Sequence, residues 1–315
     1  MDVKFGAVLT GATTAREVAT AAHRIQDAGF DGVWVTDRVD GADTLELLAA
    51  VTSACDLDIG TGVLLLPQRH PTHVARSAAT LDNLSDGRLT LGVGVGGERQ
   101  RDFDAYGMSA KERGRRADES LQVIRRLWTE DDVTFAGRYF SVEHTTLTVR
   151  PKQTPHPPLL IGGRLGGEGP RRDAALRRAA RYGDGWLPYL VSPDQVATGI
   201  ERLAGYCEAE GRDAGPMRHA ILQYIAVYDG RDEARRIAAS RLSAAYGGDF
   251  TQSADRFLVF GPPQDCAARL VEYVRAGLST IVFNWACERE DITTNIERIG
   301  GEVIPPLREL LIANQ

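Results

Sequence analysis

Cysteine, long apolar runs and clustered positive charge are all scarce in this chain of 315 residues. The four cysteines, Cys55, Cys207, Cys266 and Cys287, stand far apart, with no C-x-x-C pair and no histidine at metal-ligand spacing. That argues against a disulfide scaffold or a zinc knuckle and leaves buried, reduced thiols as the expectation. No apolar stretch approaches the ~20 residues that cross a bilayer, so no membrane partner is expected. The formal net charge is −6, whereas binding nucleic acid takes clustered Lys and Arg, so nucleic acid is not an expected partner either. His70 and His73 are separated by Pro71 and have no carboxylate at matching spacing, so no metal is expected, and His70 borders a pocket or caps a helix. Neither a G-x-S-x-G elbow nor a Walker loop occurs. The opening MDVKFGAVLTG enters strand-like alternation without a basic leader or a secretory apolar core, and the expected location is the cytoplasm.

What the chain does have is glycine, 33 residues of it, concentrated where strands are expected. Leu57 to Gly97 reads as a buried strand, a turn through Pro67 and Pro71, an apolar-striped helix and a second buried strand, which is one βαβ unit. The same alternation runs through the chain. Strands are expected at Val3–Leu9, Gly32–Thr36, Ile59–Leu65, Leu89–Val95, Leu159–Gly163, Gly185–Leu187, Ala220–Tyr228 and Ser279–Phe283, each followed by a helical stripe, the last running to about Leu311. Eight such pairs imply a parallel sheet that closes as a (β/α)8 TIM barrel, with a doubly wound sheet as the competing architecture. The chain reads as a single domain over 1–315, carrying insertions near 132–149, an antiparallel hairpin about Gly137, and near 246–260, a loop.

In a barrel of this kind the loops after the strand C-termini build the active face. Asp37 and Arg38, Leu64 to His70, Gly96 to Arg101 and Gly162 to Arg164 converge there. Glycine inside a strand marks a bulge or a close approach. At Gly62-Val63 two readings stand level: backbone pressed against a planar ligand, or room for a neighbouring side chain inside the barrel. The run GVGVGG at Gly92 to Gly97 satisfies G-x-G-x-x-G, but it lies in the fourth strand and opens no apolar helix, so it is not a dinucleotide fingerprint. Its expected task is to keep a pocket floor low beneath a flat ring. Gly162, Gly163, Gly166, Gly167 and Gly169 with Arg164, Arg171 and Arg172 offer amides and guanidinium groups at a helix start, a pattern suited to phosphate. Trp34, Trp186 and Trp285 are interior or pocket wall.

The segments TGVLLLPQRHPTHVARSAATLDNLSDGRLTLGVGVGG, YGMSAKERGRRADESLQVIRRLWTEDDVTFAGRYFSV, RPKQTPHPPLLIGG and RRAARYGDGWLP resemble the luciferase-like monooxygenase superfamily, and within it the actinobacterial branch dependent on the deazaflavin coenzyme F420. The resemblance implies the barrel with insertions and a bulge in the third strand, often a non-prolyl cis peptide, matched here by Thr61, Gly62 and Val63. It implies that Asp37 contacts the cofactor, that Gly94, Gly96 and Gly97 lie beside its ring, and that Gly162, Gly163 and Arg164 hold its phosphate side. Arg38 stands where many relatives carry histidine; it cannot serve as a base, but it can stabilise an anion or bind an acidic substrate. Glu98 and Asp102 compete for the position of a carboxylate after strand four, and Glu98 is the expected proton donor. The implied function is F420-dependent hydride transfer to or from a small organic substrate. The alternatives are a monooxygenase that uses reduced FMN and a non-catalytic barrel that binds flavin or phosphate. A homodimer and a separate reductase supplying reduced cofactor fit the resemblance. The substrate walls are expected in the variable loops, including Gly11 to Thr14 and Tyr246 to Phe257.

Overall fold

A computed structural model describes residues 3–97, 100–166 and 173–313. In chain order the elements are β1 (Lys4–Val8), α1 (Ala15–Asp27), β2 (Gly32–Val35), α2 (Thr44–Thr52), β3 (Asp58–Thr61), β4 (Leu64–Leu65), α3 (Pro71–Leu84), β5 (Leu89–Gly94), α4 (Arg101–Asp104) and α5 (Arg113–Thr129). There follow β6 (Val133–Ala136), β7 (Ser141–Thr145), β8 (Leu159–Gly162), α6 (Ala174–Tyr182), β9 (Gly185–Leu187), α7 (Pro193–Ala209), β10 (Ala220–Val227), α8 (Arg231–Tyr246), α9 (Ala254–Phe257), β11 (Val259–Gly261), α10 (Pro263–Arg275), β12 (Thr280–Trp285), α11 (Ile292–Arg298) and α12 (Ile304–Ile312).

Every pairing in the main sheet is parallel, in the order β11-β10-β12-β1-β2-β3-β5-β8-β9, with β4 also on β5. A parallel bridge between Tyr189 and Leu222 joins the β9 end to β10 and brings the sheet round into the barrel. Both faces of these strands are covered, as parallel strands require. Outward residues such as Phe5, Val33, Ile59, Leu91, Ile161, Ile221 and Phe283 pack into one core with the helices. Inward residues Val8, Trp34, Leu160, Leu187, Ala220, Leu222 and Val282 form a second cluster inside the barrel.

That interior is organised around the indole of Trp34, which is only 5% exposed. A Cβ on Gly6 would lie 2.5 Å from its Cδ1 and Nε1, and a Cβ on Gly60 would lie 2.6 Å from Cδ2 and Cε3. Two neighbouring strands thus give up a side chain so that one large ring can fill the space. A cavity of about 270 Å³ opens beneath it at the N-terminal end of the barrel, lined in part by Lys4, Asp58, Thr90, His219 and Thr280.

Local signals account for the helix starts. Thr14 and Glu17 form a capping box on α1, as Ser192 and Gln195 do on α7. His70 caps α3, its Nδ1 accepting from the Thr72 amide at 3.3 Å. Gly137 turns the antiparallel hairpin of β6 and β7, and the Glu119 carboxylate of α5 accepts from the amides of Arg138, Tyr139 and Phe140 to hold it.

Two intervals differ from the sequence reading. The stretch 246–260 is no plain loop: it contains α9, and Val259 and Phe260 begin β11 beside β10. Its mixed polarity hides a strand only three residues long. The C-terminal helix is likewise two helices, joined by a π-helical turn at Ile299–Val303, where a Cβ on Gly300 would strike the Ala28 carbonyl.

The Trp34 packing predicts that Gly60→Ala destabilises the protein by about 1–3 kcal/mol through overpacking. Gly205→Ala, in an open position of α7, should stabilise by about 0.5–1 kcal/mol, and urea denaturation measures both. His219 gives a pH prediction. Burial, with Arg218 adding to it, lowers its pKa from 6.5 to about 4, and its Nδ1 accepts the Trp186 amide at 3.2 Å. The unfolded chain therefore binds the proton first, so stability is full above pH 6.5 and declines as pH falls towards 4, by about 2–3 kcal/mol in all. His219→Asn, which keeps an acceptor, should flatten that decline in thermal melts.

Candidate active site at the C-terminal mouth

The chain leaves β3 at Thr61, passes through a cis peptide between Gly62 and Val63, and resumes as β4. The Val63 side chain packs against the interior cluster, over the backbone of the two strands that follow. A Cβ on Gly94 would lie 2.5 Å from its Cγ2, and a Cβ on Gly162 would lie 2.6 Å from its Cγ1. Thr61 is used in the same way: its hydroxyl donates to the Gly92 carbonyl at 2.6 Å, and its own carbonyl occupies the space a Cβ on Gly92 would need.

These contacts correct the reading of GVGVGG as a lowered floor under a ring. Gly92 and Gly94 make room for Thr61 and Val63 of the same barrel, because the turn at Gly62 drives those groups into the adjacent strand. At Gly62 itself a Cβ would meet only Leu222 and Trp34, at 3.5 and 3.6 Å, from the barrel interior. Open backbone lies further along. Among the described residues, Gly97 has nothing nearer than the Asp102 carboxylate at 3.8 Å, and Gly166 has nothing within 4 Å. Gly96, Gly163 and Gly166 have φ of +80°, +148° and +149°, values that favour glycine.

Asp37 follows β2, and its side chain is 5% exposed. Its backbone amide donates to the Val63 carbonyl at 3.2 Å, and Oδ2 accepts from the Leu65 amide at 3.0 Å. Arg69 binds it as well, Nη2 lying 3.2 and 3.1 Å from the two carboxylate oxygens, while Nη1 donates to Asp43 at 2.6 Å. Burial acts against ionisation of Asp43, yet the Arg69 guanidinium holds its carboxyl below the usual range. The group expected to touch a cofactor is thus committed to holding the segment from Val63 to Arg69 against the loop after β2.

Arg38 is not drawn inward. Its side chain is 69% exposed and pairs with Asp40 through Nε at 3.0 Å and Nη2 at 3.1 Å. Gly163 accepts the Trp186 indole N–H at 2.7 Å, and the Arg164 guanidinium lies 5.4 Å from the centre of the Tyr189 ring. Glu98, Gly167, Gly169, Arg171 and Arg172 lie outside the described residues. Among the described residues no group of three or more His, Cys, Asp or Glu is placed to hold a metal, and no helix is long and apolar enough to cross a membrane.

Sequence reasoning placed Tyr246 to Phe257 among the expected substrate walls but missed the aromatic group that Tyr246 and Phe250 form with Tyr189 and Tyr224 at the same mouth. Tyr224 on β10 shares a hydrogen bond of 2.7 Å with Tyr246 at the end of α8; Tyr189 stacks on Tyr246 at 6.2 Å, and Phe250 lies 5.9 Å from it. Strand alternation carried the signal: Ala220 and Leu222 point into the barrel, so Tyr224 does too, one layer higher, opposite Asn284 on β12. Burial keeps both phenols, Tyr224 and Tyr246, above their ordinary pKa.

The family model for luciferase-like monooxygenases matches residues 3–280. The chain belongs to that family. Among curated proteins it is 28% identical over 329 residues to the F420-dependent glucose-6-phosphate dehydrogenase of Amycolatopsis mediterranei (strain U-32), covering 94% of this chain and 95% of that protein. Among solved structures, an F420-dependent secondary alcohol dehydrogenase in complex with an F420-acetone adduct superposes with a TM-score of 0.81 at 22% identity, over 98% of this chain and 99% of that one. The FMN complex of the oxygenating constituent of 3,6-diketocamphane monooxygenase, from the CAM plasmid of Pseudomonas putida, superposes with a TM-score of 0.74 at 17% identity, over 97% and 99%. The barrel fold read from the sequence is the fold of this family.

The Asp37 clamp predicts that Asp37→Ala, which strands the Leu65 amide and half of the Arg69 guanidinium, costs about 3 kcal/mol in urea denaturation. Arg38→Ala should leave the unfolding midpoint where it is.

Proposed function

We propose that this protein is an oxidoreductase that binds coenzyme F420 across the C-terminal mouth of its barrel and uses it for hydride exchange with a small organic substrate. The observation that carries the reading is the placement of Val63. Wedged between Gly94 and Gly162 and half-buried, it offers an apolar ledge level with glycine backbone, a shape that suits one face of a flat ring. Among the described residues, the open faces at Gly97 and Gly166 leave backbone that a larger residue would cover, which suits the rest of such a cofactor.

Thr61, Gly62 and Val63 would back the ring, Gly94, Gly96 and Gly97 would border it, and Gly162, Gly163 and Arg164 would hold the phosphate side. Asp37 would act on the cofactor by holding Val63 and Leu65 in place. When bound, a deazaflavin supplies hydride chemistry, and the protein supplies orientation and electrostatics. Glu98 is the proposed proton donor. Arg38 is the proposed anion partner, which takes an acidic substrate group by exchanging it for Asp40.

The deazaflavin is favoured over FMN by the relatives: the 28% identical dehydrogenase spans nearly the whole chain, and the F420 alcohol dehydrogenase superposes more closely than the FMN enzyme. The reading takes 1–315 as one domain, places the protein in the cytoplasm as a homodimer, and has a separate reductase supply reduced cofactor.

Fluorescence titration with F420 and with FMN tests the reading. Micromolar binding of F420, tighter than that of FMN, is expected, and failure to retain either would overturn it. Gly94→Ala, which displaces Val63, should weaken F420 binding about tenfold while the circular dichroism spectrum stays native.

A further inference from the structure

Two tyrosines at the barrel mouth, Tyr224 and Tyr246, share one hydrogen bond and between them have one proton left over. Asn284 Oδ1 accepts from the Trp285 amide at 2.9 Å, which leaves the amide nitrogen of Asn284 to act on its register partner Tyr224, where it favours the ionised phenol as a donor does. The hydroxyls of Tyr224 and Tyr246 lie 2.7 Å apart, and either can donate to the other. One hydrogen bond between two hydroxyls uses one proton, so the pair keeps a second, and an oxyanion placed against Tyr246 would draw that proton outward while Tyr224 donates behind it. Among the described residues no second acceptor lies against that hydroxyl, and the ring is 38% exposed. The charged side chain that acts on Tyr246 is a cation, Arg164, which also sits over Tyr189.

The group stands beside the site described above. Tyr189 packs with Val63 and Leu222 in the interior cluster, and Leu222 is the residue that a Cβ on Gly62 would meet at 3.5 Å. Tyr224 lies one inward position above Leu222 on β10. A link that only tied α8 to the barrel would need no second hydroxyl behind an exposed one and no cation beside it.

We propose that Tyr246, backed by Tyr224 and Asn284 and flanked by Arg164, is an oxyanion-binding subsite that receives the charged oxygen of a small phenolate or enolate substrate. The inference rests on the proposed function only in calling that ligand a substrate; the subsite itself needs no cofactor. Its physical basis is a hydrogen bond whose acceptor carries full charge, about twice as strong as a neutral one, given by a donor already held in place.

The test is a titration of the whole protein with 4-nitrophenolate at mildly alkaline pH, followed by the shift of its visible absorption and run with and without F420. The parent protein is expected to bind the probe. Tyr246→Phe, which keeps the stacking and loses only the hydroxyl, should bind it roughly ten- to hundredfold more weakly. Tyr224→Phe should lose a smaller factor, and both should melt within a few degrees of the parent. No binding by the parent, or equal binding by Tyr246→Phe, overturns the subsite. If Tyr246→Phe fails to fold, Tyr224→Phe decides: affinity equal to the parent's overturns the proposal. The outcomes separate the two readings. Loss of probe binding in Tyr246→Phe from a protein that binds neither F420 nor FMN keeps the subsite and removes the redox role, whereas F420 binding with an indifferent Tyr246→Phe does the reverse.

Discussion

One large ring fills the central layer of the barrel interior, and the mouth is built on top of it. Trp34 takes the space, so Gly6 and Gly60 carry no side chain, and Val8, Leu160, Leu187, Leu222 and Val282 close around it. At packing densities near those of organic crystals, a filled layer fixes the layer above it. The indole and Leu222 lie at contact distance below Gly62, and Val63 packs against the same interior cluster, where Gly94 and Gly162 are the positions that yield to it. The glycines of the fourth strand are thus a consequence of packing, and any ledge for a ligand is built out of that packing rather than in place of it.

Electrostatics then holds the ledge. Arg69 joins Asp37 and Asp43, which follow the same strand, and Asp37 binds the backbone on either side of Leu64. A buried charge pair of this kind adds little net stability compared with an apolar substitute, but breaking one half of it is costly. Its value lies in position: the loop after β2 and the turn after β3 cannot move independently. On the far side of the mouth the tyrosines do comparable work with neutral groups, since Tyr224 and Tyr246 keep their protons through burial and can donate without carrying charge.

Much of this was legible beforehand, and the gaps have physical causes. Strand positions followed from runs of β-branched residues, and the barrel from their count. The family followed from motifs that keep their order over most of the chain. The strand at Val259 was not legible, because three residues cannot show a period. The partners of the glycines were not legible either: Gly92 and Gly62 look alike in sequence, yet one faces the Thr61 carbonyl and the other faces open contact distance. The pairing of Asp37 was not legible, because its partner, Arg69, is 32 residues away and reaches it only after the third strand has turned.

By itself, the order of apolar periods, turns and glycines determined a parallel eight-fold barrel and the family to which it belongs, because these depend on local pattern and on connection rules. Tertiary structure alone decided which glycine admits which neighbour, that Arg69 occupies Asp37, that Arg38 stays with Asp40 in solvent, and that Tyr189, Tyr224 and Tyr246 meet. Those are contacts between residues far apart in the chain, set by the volume of an indole and the reach of a guanidinium, and no local pattern encodes them.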